Sequence, residues 1–272
     1  MNEYRGTEGA RPYAGTGWYY AEYRERVSTE FVAQLAEHLG WSRNDRVLDL
    51  GAGPGQLSII AAPFVAEVVA VEPEPDMLAE GERRARELGI NNVTFVGAGS
   101  DDLPALRSSL GRFRTALMGQ SFHWMVDKDR VLQELSAMVD DSNGSVAFVK
   151  PWKVSAANAL ASAENTVHEI LERYLLDVPA GIHPSGRHDP FEEILARSPF
   201  PRVELIEREY TVTARPTVES LVGSEYTISY VLARLGNRRE LFERDVRAAL
   251  GDLNELGEIR VTWRDDALIG RR

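Results

Sequence analysis

The stretch VLDLGAGPGQLS, from Val47 to Ser58, holds the residues best spaced for chemistry. An acid, Asp49, stands just ahead of a turn built from Gly51, Ala52, Gly53 and Gly55. A strand-like run precedes the turn and a helix-like run follows it, so its backbone N–H groups point at whatever binds there. Chains of this type grip a nucleotide-like cofactor. Glu72 closes the next strand-like run, EVVAVEP, and a carboxylate there can accept both ribose hydroxyls of an adenosine. A dinucleotide turn needs G-x-G-x-x-G. Here the pattern is G-x-G-x-G, with Gln56 where the third dinucleotide glycine would stand. That spacing argues against a nicotinamide cofactor.

Three further groups have the right chemistry. His123, in GQSFHW, lies just past a strand-like run, where open α/β sheets bind their ligands. An imidazole titrating at about 6.5 suits proton transfer; packing into the pocket floor is the competing role. Trp18, Tyr19, Tyr20 and Tyr23 form an aromatic cluster, with Tyr13 nearby. His183, His188 and Asp189, in GIHPSGRHDP, lack a third well-spaced metal ligand, so no metal site is expected. That loop reads as acceptor-pocket lining or a solvated turn. Trp152 and Lys153 stand directly after a strand-like run and within reach of an acceptor.

These residues need a scaffold, and the hydrophobic rhythm supplies one. Residues 1–16 read as a loose polar arm. A helix is expected from Trp18, with Phe31, Val32, Leu35 and Leu39 on one face and Gly40 ending it. RVLDLG, EVVAVEP, NVTFVGAG, a stretch within FRTALMGQSFHW, and SVAFVK read as strands that alternate with helices. Such alternation argues for a parallel sheet covered on both faces. After Lys150 the rhythm changes to a helical stretch, AANALASAENTVHEILERYLL, a loop and FEEILARS. RVELIEREYTVTA reads as a sixth strand, two helices follow, and EIRVTWRDDALIGRR reads as a closing edge strand. The expected organisation is an arm and helical lid over 1–40, a cofactor-binding half over 41–150, a helical insertion over 151–200 and the rest of the core over 201–272.

Composition narrows the classes. The 272 residues suffice for one large domain or one with a cap. At 43% hydrophobic and 27% charged, the chain reads as an ordinary globular protein. Its formal net charge of −11 disfavours a polynucleotide partner, which needs a basic surface. With no cysteine, thiolate nucleophiles and thiolate metal ligands are excluded, and a reducing compartment is expected. No apolar run is long enough to span a bilayer, and the N-terminus lacks a signal-peptide pattern. A cytoplasmic enzyme is expected.

Four segments in this order and spacing, VLDLGAGPGQLS, VVAVEPEPDML, VTFVGAGSDDLP and ALMGQSFHWM, resemble the class I S-adenosylmethionine-dependent methyltransferases. The resemblance covers roughly residues 45–150 and lies closest to the branch that methylates small molecules. It implies a Rossmann-like, doubly wound, seven-stranded and mostly parallel sheet, with an N-terminal helical lid and a helical insertion after strand 5. It also implies roles. Asp49, Gly51, Ala52 and Gly53 would surround the methionine part of the cofactor, and Glu72 would hold the ribose. Pro73 and Met77 would flank the adenine, and Ser100 and Asp101 would meet its edge. The family often carries an acid or serine at the position of Gly99. Gln120 would lie beside the reacting sulfonium. Tyr19 would contact the cofactor, and Tyr20 and His123 would serve the reaction.

The implied function is methyl transfer from S-adenosylmethionine, leaving S-adenosylhomocysteine, to an oxygen, nitrogen or carbon of a small molecule such as a secondary metabolite. The alternatives are an RNA or protein methyltransferase, a nicotinamide oxidoreductase and a non-catalytic binding scaffold. The region that carries Asn/Asp-Pro-Pro-aromatic in nucleic-acid amino-methylating enzymes reads GQSF here. Absence of cysteine excludes the covalent route to pyrimidine C5. No nucleic-acid or membrane partner is expected, and oligomeric state stays open.

Overall fold

From Arg46 to Met138 strands and helices alternate, because apolar runs of strand length are separated by helical periodicity and glycine turns. The computed structural model describes residues 11–175, 191–251, 253 and 257–272. The strands are β1 Arg46–Leu50, β2 Glu67–Glu72, β3 Val93–Gly97, β4 Thr115–Gly119, β5 Ser145–Ala156, β6 Arg202–Ala214 and β7 Ile259–Arg271. They form one seven-stranded sheet in the order β3-β2-β1-β4-β5-β7-β6. The first five are parallel, while β7 runs antiparallel to both β5 and β6.

Two helices, α1 Gly17–Tyr23 and α2 Thr29–Leu39, precede the sheet. Between the strands come α3 Gln56–Ala61, α4 Pro75–Glu87, α5 Leu103–Leu110 and α6 Lys128–Met138. Beyond β5 lie α7 Asn158–Leu175 and α8 Phe191–Ala196, and beyond β6 lie α9 Val218–Glu225, α10 Val231–Leu235 and α11 Arg239–Leu250. One core holds Leu48, Leu50, Met118 and Phe148 against α6 and α8. A second, on the opposite face, packs Val47, Leu117 and Val149 against α2 and α3. A third joins α7, α9 and α11 to the far ends of β5 and β7. Among the described residues no helix is long and apolar enough to cross a membrane.

Four sequence expectations are corrected. The first helix is two helices, because Arg24 turns extended and Ser28 caps α2 by accepting from the Phe31 amide. Ser28 is itself fixed by Asp265 of β7, which is fully buried and accepts from both the Ser28 amide at 2.8 Å and its hydroxyl at 2.6 Å. Secondly, β7 is not the edge. It lies between β5 and β6, consistent with its buried Val261, Ala267 and Ile269. The edge is β6, whose exposed Glu207, Arg208 and Glu209 protect its open side. Thirdly, β5 runs on past Lys150 to Ala156, so Trp152 and Lys153 belong to the strand. In addition, the segment from Val218 to Leu235 is α9 and α10, not one helix.

Close approaches set the lid and the glycine turn. A Cβ at Gly17 would stand 2.5 Å from the Asp76 carbonyl oxygen, so α1 crosses the start of α4 in near contact. A Cβ at Gly81 would stand 2.5 Å from the Phe95 ring and 3.1 Å from the Pro54 carbonyl oxygen. Gly81→Ala is therefore expected to cost about 1–3 kcal/mol by overpacking, offset by about 1 kcal/mol of helix propensity. A lower melting temperature in a thermal scan checks this; an unchanged or higher one would show that the Phe95 ring yields freely.

Candidate active site

Leaving β1, the chain turns through Gly51, Gly53 and Gly55, all with positive φ, at 72°, 56° and 70°. The N–H groups of this turn are accounted for within the protein. Gly51 and Ala52 donate to the Val71 carbonyl at 2.8 and 3.1 Å, and Gly53 donates to Glu72 Oε2 at 2.9 Å. Gly55 donates to the Ala52 carbonyl at 3.0 Å, and residue 54 is proline. The expectation that these amides face a ligand is therefore corrected: those of Gly51, Ala52, Gly53 and Gly55 are engaged within the protein.

Two carboxylates define the cavity's chemistry. Asp49 is 1% exposed; its Oδ2 accepts from the Ser58 hydroxyl at 2.6 Å, while its Oδ1 is buried with no partner. Burial pushes its pKa up to about 6, against the Ser58 hydrogen bond and with the help of the Glu72 charge. Glu72, at the end of β2, accepts from the amides of Gly53 and Glu74 on separate oxygens, leaving lone pairs on both. Burial raises its pKa, and those two backbone hydrogen bonds oppose the rise.

The arm and α1 close over these groups. Arg11 pairs with Glu74, its Nε lying 3.1 and 3.2 Å from the two carboxylate oxygens, and the Gly15 amide donates to Asp76 at 2.7 Å. Tyr13 meets Tyr20 and Trp124 edge-on, at 6.0 and 5.6 Å between centroids. The Gln56 side-chain amide reaches the carbonyls of Tyr20, Ala21 and Arg24 at 3.3 to 3.5 Å, tying the end of α1 to the glycine turn. Arg24 donates from Nη2 to Gln120 Oε1 at 3.1 Å. Gln120 follows β4 with a positive φ of 52°, a conformation uncommon for a residue with a side chain. What remains is a narrow, partly open cavity of about 50 Å³, lined by Tyr20, Asp49, Gly51, Ala52, Gly53, Gln56, Gly119, Gln120 and residues around them.

Of the residues singled out in the sequence, Tyr20, Asp49, Gly51, Ala52, Gly53 and Gln120 meet at this cavity, with Glu72 bonded to the turn beside it. Pro73 approaches Gly99, whose amide donates to Asp102 at 2.8 Å; Ser100 is half-buried and Asp101 exposed on the following turn. Met77 is buried on α4. His123 sits on the short turn Phe122–Trp124, outside the residues that line the cavity. Burial raises the pKa of Tyr20, partly offset by Arg24, so at neutral pH its hydroxyl donates and does not act as a base.

Tyr19 lies outside the residues that line the cavity. Its ring lies over the Arg239 guanidinium, its hydroxyl accepts from Arg239, and it meets Tyr226 edge-on at 5.1 Å. It ties α1 to α9 and α11. Trp152 and Lys153 are likewise engaged, with Asp266 and Glu164. His183, His188 and Asp189 lie outside the described residues. Among the described residues no group of three or more His, Asp or Glu side chains is placed to hold a metal. Sequence reasoning missed Arg24, which falls inside the stretch expected to be one helix. It noticed Gln56 only as a missing glycine.

The sequence matches the family described as "Methyltransferase domain" over residues 42–188. The chain belongs to this family. The chain has the fold of the class I methyltransferases. It superimposes with a TM-score of 0.58 on a "putative type II methyltransferase" from Anaeromyxobacter dehalogenans, 24% identical, over 91% of this chain and 97% of that one. Among curated proteins it is 25% identical over 147 residues to the Saccharomyces cerevisiae "Probable S-adenosylmethionine-dependent methyltransferase CRG1", 52% of this chain and 48% of that protein. It is also 36% identical over 74 residues to the protein-L-isoaspartate O-methyltransferase of Dictyoglomus thermophilum, 27% of this chain and 34% of that protein. The 23S rRNA (uracil(1939)-C(5))-methyltransferase RlmD of Aeromonas salmonicida is 40% identical over 72 residues, 26% of this chain and 16% of that one. The methyltransferase thus spans about half or less of the curated relatives it matches.

The residues present fit S-adenosylmethionine. The partnerless Asp49 Oδ1 suits an ammonium group, and the two-oxygen face of Glu72 suits a ribose diol.

Proposed function

We propose that the methyltransferase moves a methyl group to an oxygen, nitrogen or carbon of a small molecule, such as a secondary metabolite. S-adenosylmethionine, when bound, supplies the methyl and the sulfur leaving group. The observation that carries the small-molecule reading is the narrowness of the cavity. Tyr20, Gln56 and the Arg24–Gln120 hydrogen bond narrow the space over the ends of β1 and β4. A cavity of about 50 Å³ is far below the roughly 300–1,000 Å³ of ligand sites, so the lid shifts when ligands enter and then shuts them in. A polymer chain would need an open groove there, and the net charge of −11 opposes a nucleic acid further.

In this reading Asp49 and Glu72 hold the cofactor, Pro73, Met77, Ser100 and Asp101 border its base, and Gln120 borders the transfer. Tyr20 donates a hydrogen bond, and the closed lid excludes water. Alignment of the reactants supplies most of the rate, up to about 7–11 kcal/mol in favourable cases. His123 is assigned to the acceptor's proton.

Calorimetry with S-adenosylhomocysteine, followed by labelled-methyl transfer to separate pools of small molecules, RNA and protein, tests the reading. Label in the small-molecule pool alone supports it, and label in RNA or protein overturns it. On the acceptor so found, His123→Ala is expected to lower turnover by about 10²-fold, within the span of general acid–base catalysis. Affinity for S-adenosylhomocysteine should stay the same. A fall in melting temperature with turnover retained would assign His123 to packing instead.

A further inference from the structure

The arm ahead of α1 crosses the crevice that a cofactor must enter. Arg11 and Gly15 are tied to the turn after β2, through Glu74 and Asp76. Tyr13, between them, meets Trp124 in the turn after β4. The sheet runs β2-β1-β4, so residues 11–15 pass over the end of β1 and its glycine turn. Open α/β sheets bind their ligands there, outside the carboxyl ends of the strands where the order reverses. Glu72, Glu74 and Met77 are buried beside the arm's ties. The cavity's lining includes none of them, nor Pro73, Ser100 or Asp101. It reaches the side of the site built from Asp49 and the glycine turn.

Helix and arm are held differently. α1 is packed, with Gly17 against the Asp76 carbonyl and Tyr19 against Arg239 and Tyr226. The arm is held by polar ties at its rim. Besides those to Glu74 and Asp76, the Pro12 carbonyl accepts from the Tyr230 amide at 2.7 Å, on the cap side. Tyr230 makes that bond at a positive φ of 65°, which a residue with a side chain adopts at a cost. The Arg11 and Asp76 side chains are about half exposed, so salt screens their contribution. Gly15 supplies a joint, with a positive φ of 76° and open space where a Cβ would stand.

Building on the methyltransferase reading, we propose that residues 11–16 form a latched strap whose release gates entry of S-adenosylmethionine. The strap turns at Gly15 while α1 stays packed. A ligand that enters only the open form binds at a rate set by the population of that form. Breaking a latch raises that population. The ties use Glu74, Asp76 and Tyr230, and leave the Glu72 carboxylate to the ribose. The strap can therefore close again over a bound cofactor, and it gates departure as well as entry.

Stopped-flow tryptophan fluorescence on the full chain, mixed with S-adenosylhomocysteine, tests this, with Trp124 beside Tyr13 as the reporter. Two variants open the strap by unrelated routes. Arg11→Gln takes the charge from Glu74, and Gly15→Ala disfavours the positive φ while keeping every charge. Each should raise the association and dissociation rate constants by about three- to ten-fold, with affinity changed less than either. Salt should speed association in the parent, because it screens the latch, and should do little to Arg11→Gln. Matching melting temperatures certify the folds. The proposal is overturned if either variant associates no faster than the parent. A faster dissociation alone would make the arm a cover on bound cofactor and not a gate. Failure of the parent and both variants to bind S-adenosylhomocysteine at all would sink the methyltransferase reading, and the gate with it.

Discussion

Replacing Glu72 with alanine is expected to weaken S-adenosylhomocysteine binding by about 2–4 kcal/mol, a factor of about 30 to 900. Two losses combine. The carboxylate gives up its free lone pairs to the ribose diol, and it releases the amides of Gly53 and Glu74 that it now fixes at 2.9 and 3.0 Å. The second loss loosens the turn that walls the cavity, so the variant loses preorganisation as well as contacts. Glu72→Gln separates the two. It keeps the shape, but an amide nitrogen facing either backbone donor is mismatched, so one of those hydrogen bonds is lost and the other retained. Its affinity should fall between those of alanine and the parent. Calorimetry on the three proteins checks the order. Equal affinity for alanine and parent would remove Glu72 from the site.

The parts of this site that the sequence shows are those made locally. Asp49, the glycines and Glu72 fall within one strand–turn–helix–strand unit, where apolar periodicity and glycine spacing act over a few residues at a time. The bounds of β6, Arg202–Ala214, are legible for the same reason. What depends on distant partners is not. That β7 slips between β5 and β6 follows from pairing across the sheet, which no local pattern encodes. The break between α1 and α2 has a legible half, the Ser28 cap, and an illegible half, Asp265, 237 positions away.

The same division runs through the candidate site. Arg24 looks like one more helix residue until Gln120 and Thr227 appear, 96 and 203 positions along the chain. Tyr19 and Tyr20 are adjacent in sequence, so only the rotation of α1 decides that Tyr20 lines the cavity while Tyr19 ties α1 to α9 and α11. The glycine turn is the most instructive case. Its composition announces a ligand-binding turn, but whether its amides are free depends on the Val71 carbonyl and the Glu72 carboxylate. Both belong to the neighbouring strand. Sequence therefore locates the pocket, and tertiary hydrogen bonding decides what it can hold.

Asp49→Asn is expected to move stability and affinity in opposite directions. In the unliganded protein the buried carboxylate carries a charge whose Oδ1 has no partner. Its pKa rises from 3.8 to about 6, and at about 1.4 kcal/mol per pH unit this amounts to about 3 kcal/mol of destabilisation at neutral pH. The sign follows from proton uptake. A carboxyl whose folded pKa lies above its unfolded value supports the fold fully below pH 3.8 and loses that support as pH rises through about 6. Asparagine carries no charge, so at pH 7 the unliganded variant should melt several degrees above the parent, and the difference should vanish near pH 4. Binding runs the other way. The ammonium of S-adenosylhomocysteine neutralises ionised Asp49, so parent affinity should fall by up to about ten-fold per pH unit below about 6. The variant should bind about 10- to 100-fold more weakly at pH 7, with no such pH dependence from this group. Thermal scans and calorimetry at pH 4.5 to 8 give both readings. A structural aspartate predicts the reverse pair, a lower melting temperature with unchanged affinity. Stability gained and affinity lost in the same variant would assign Asp49 to the cofactor's ammonium.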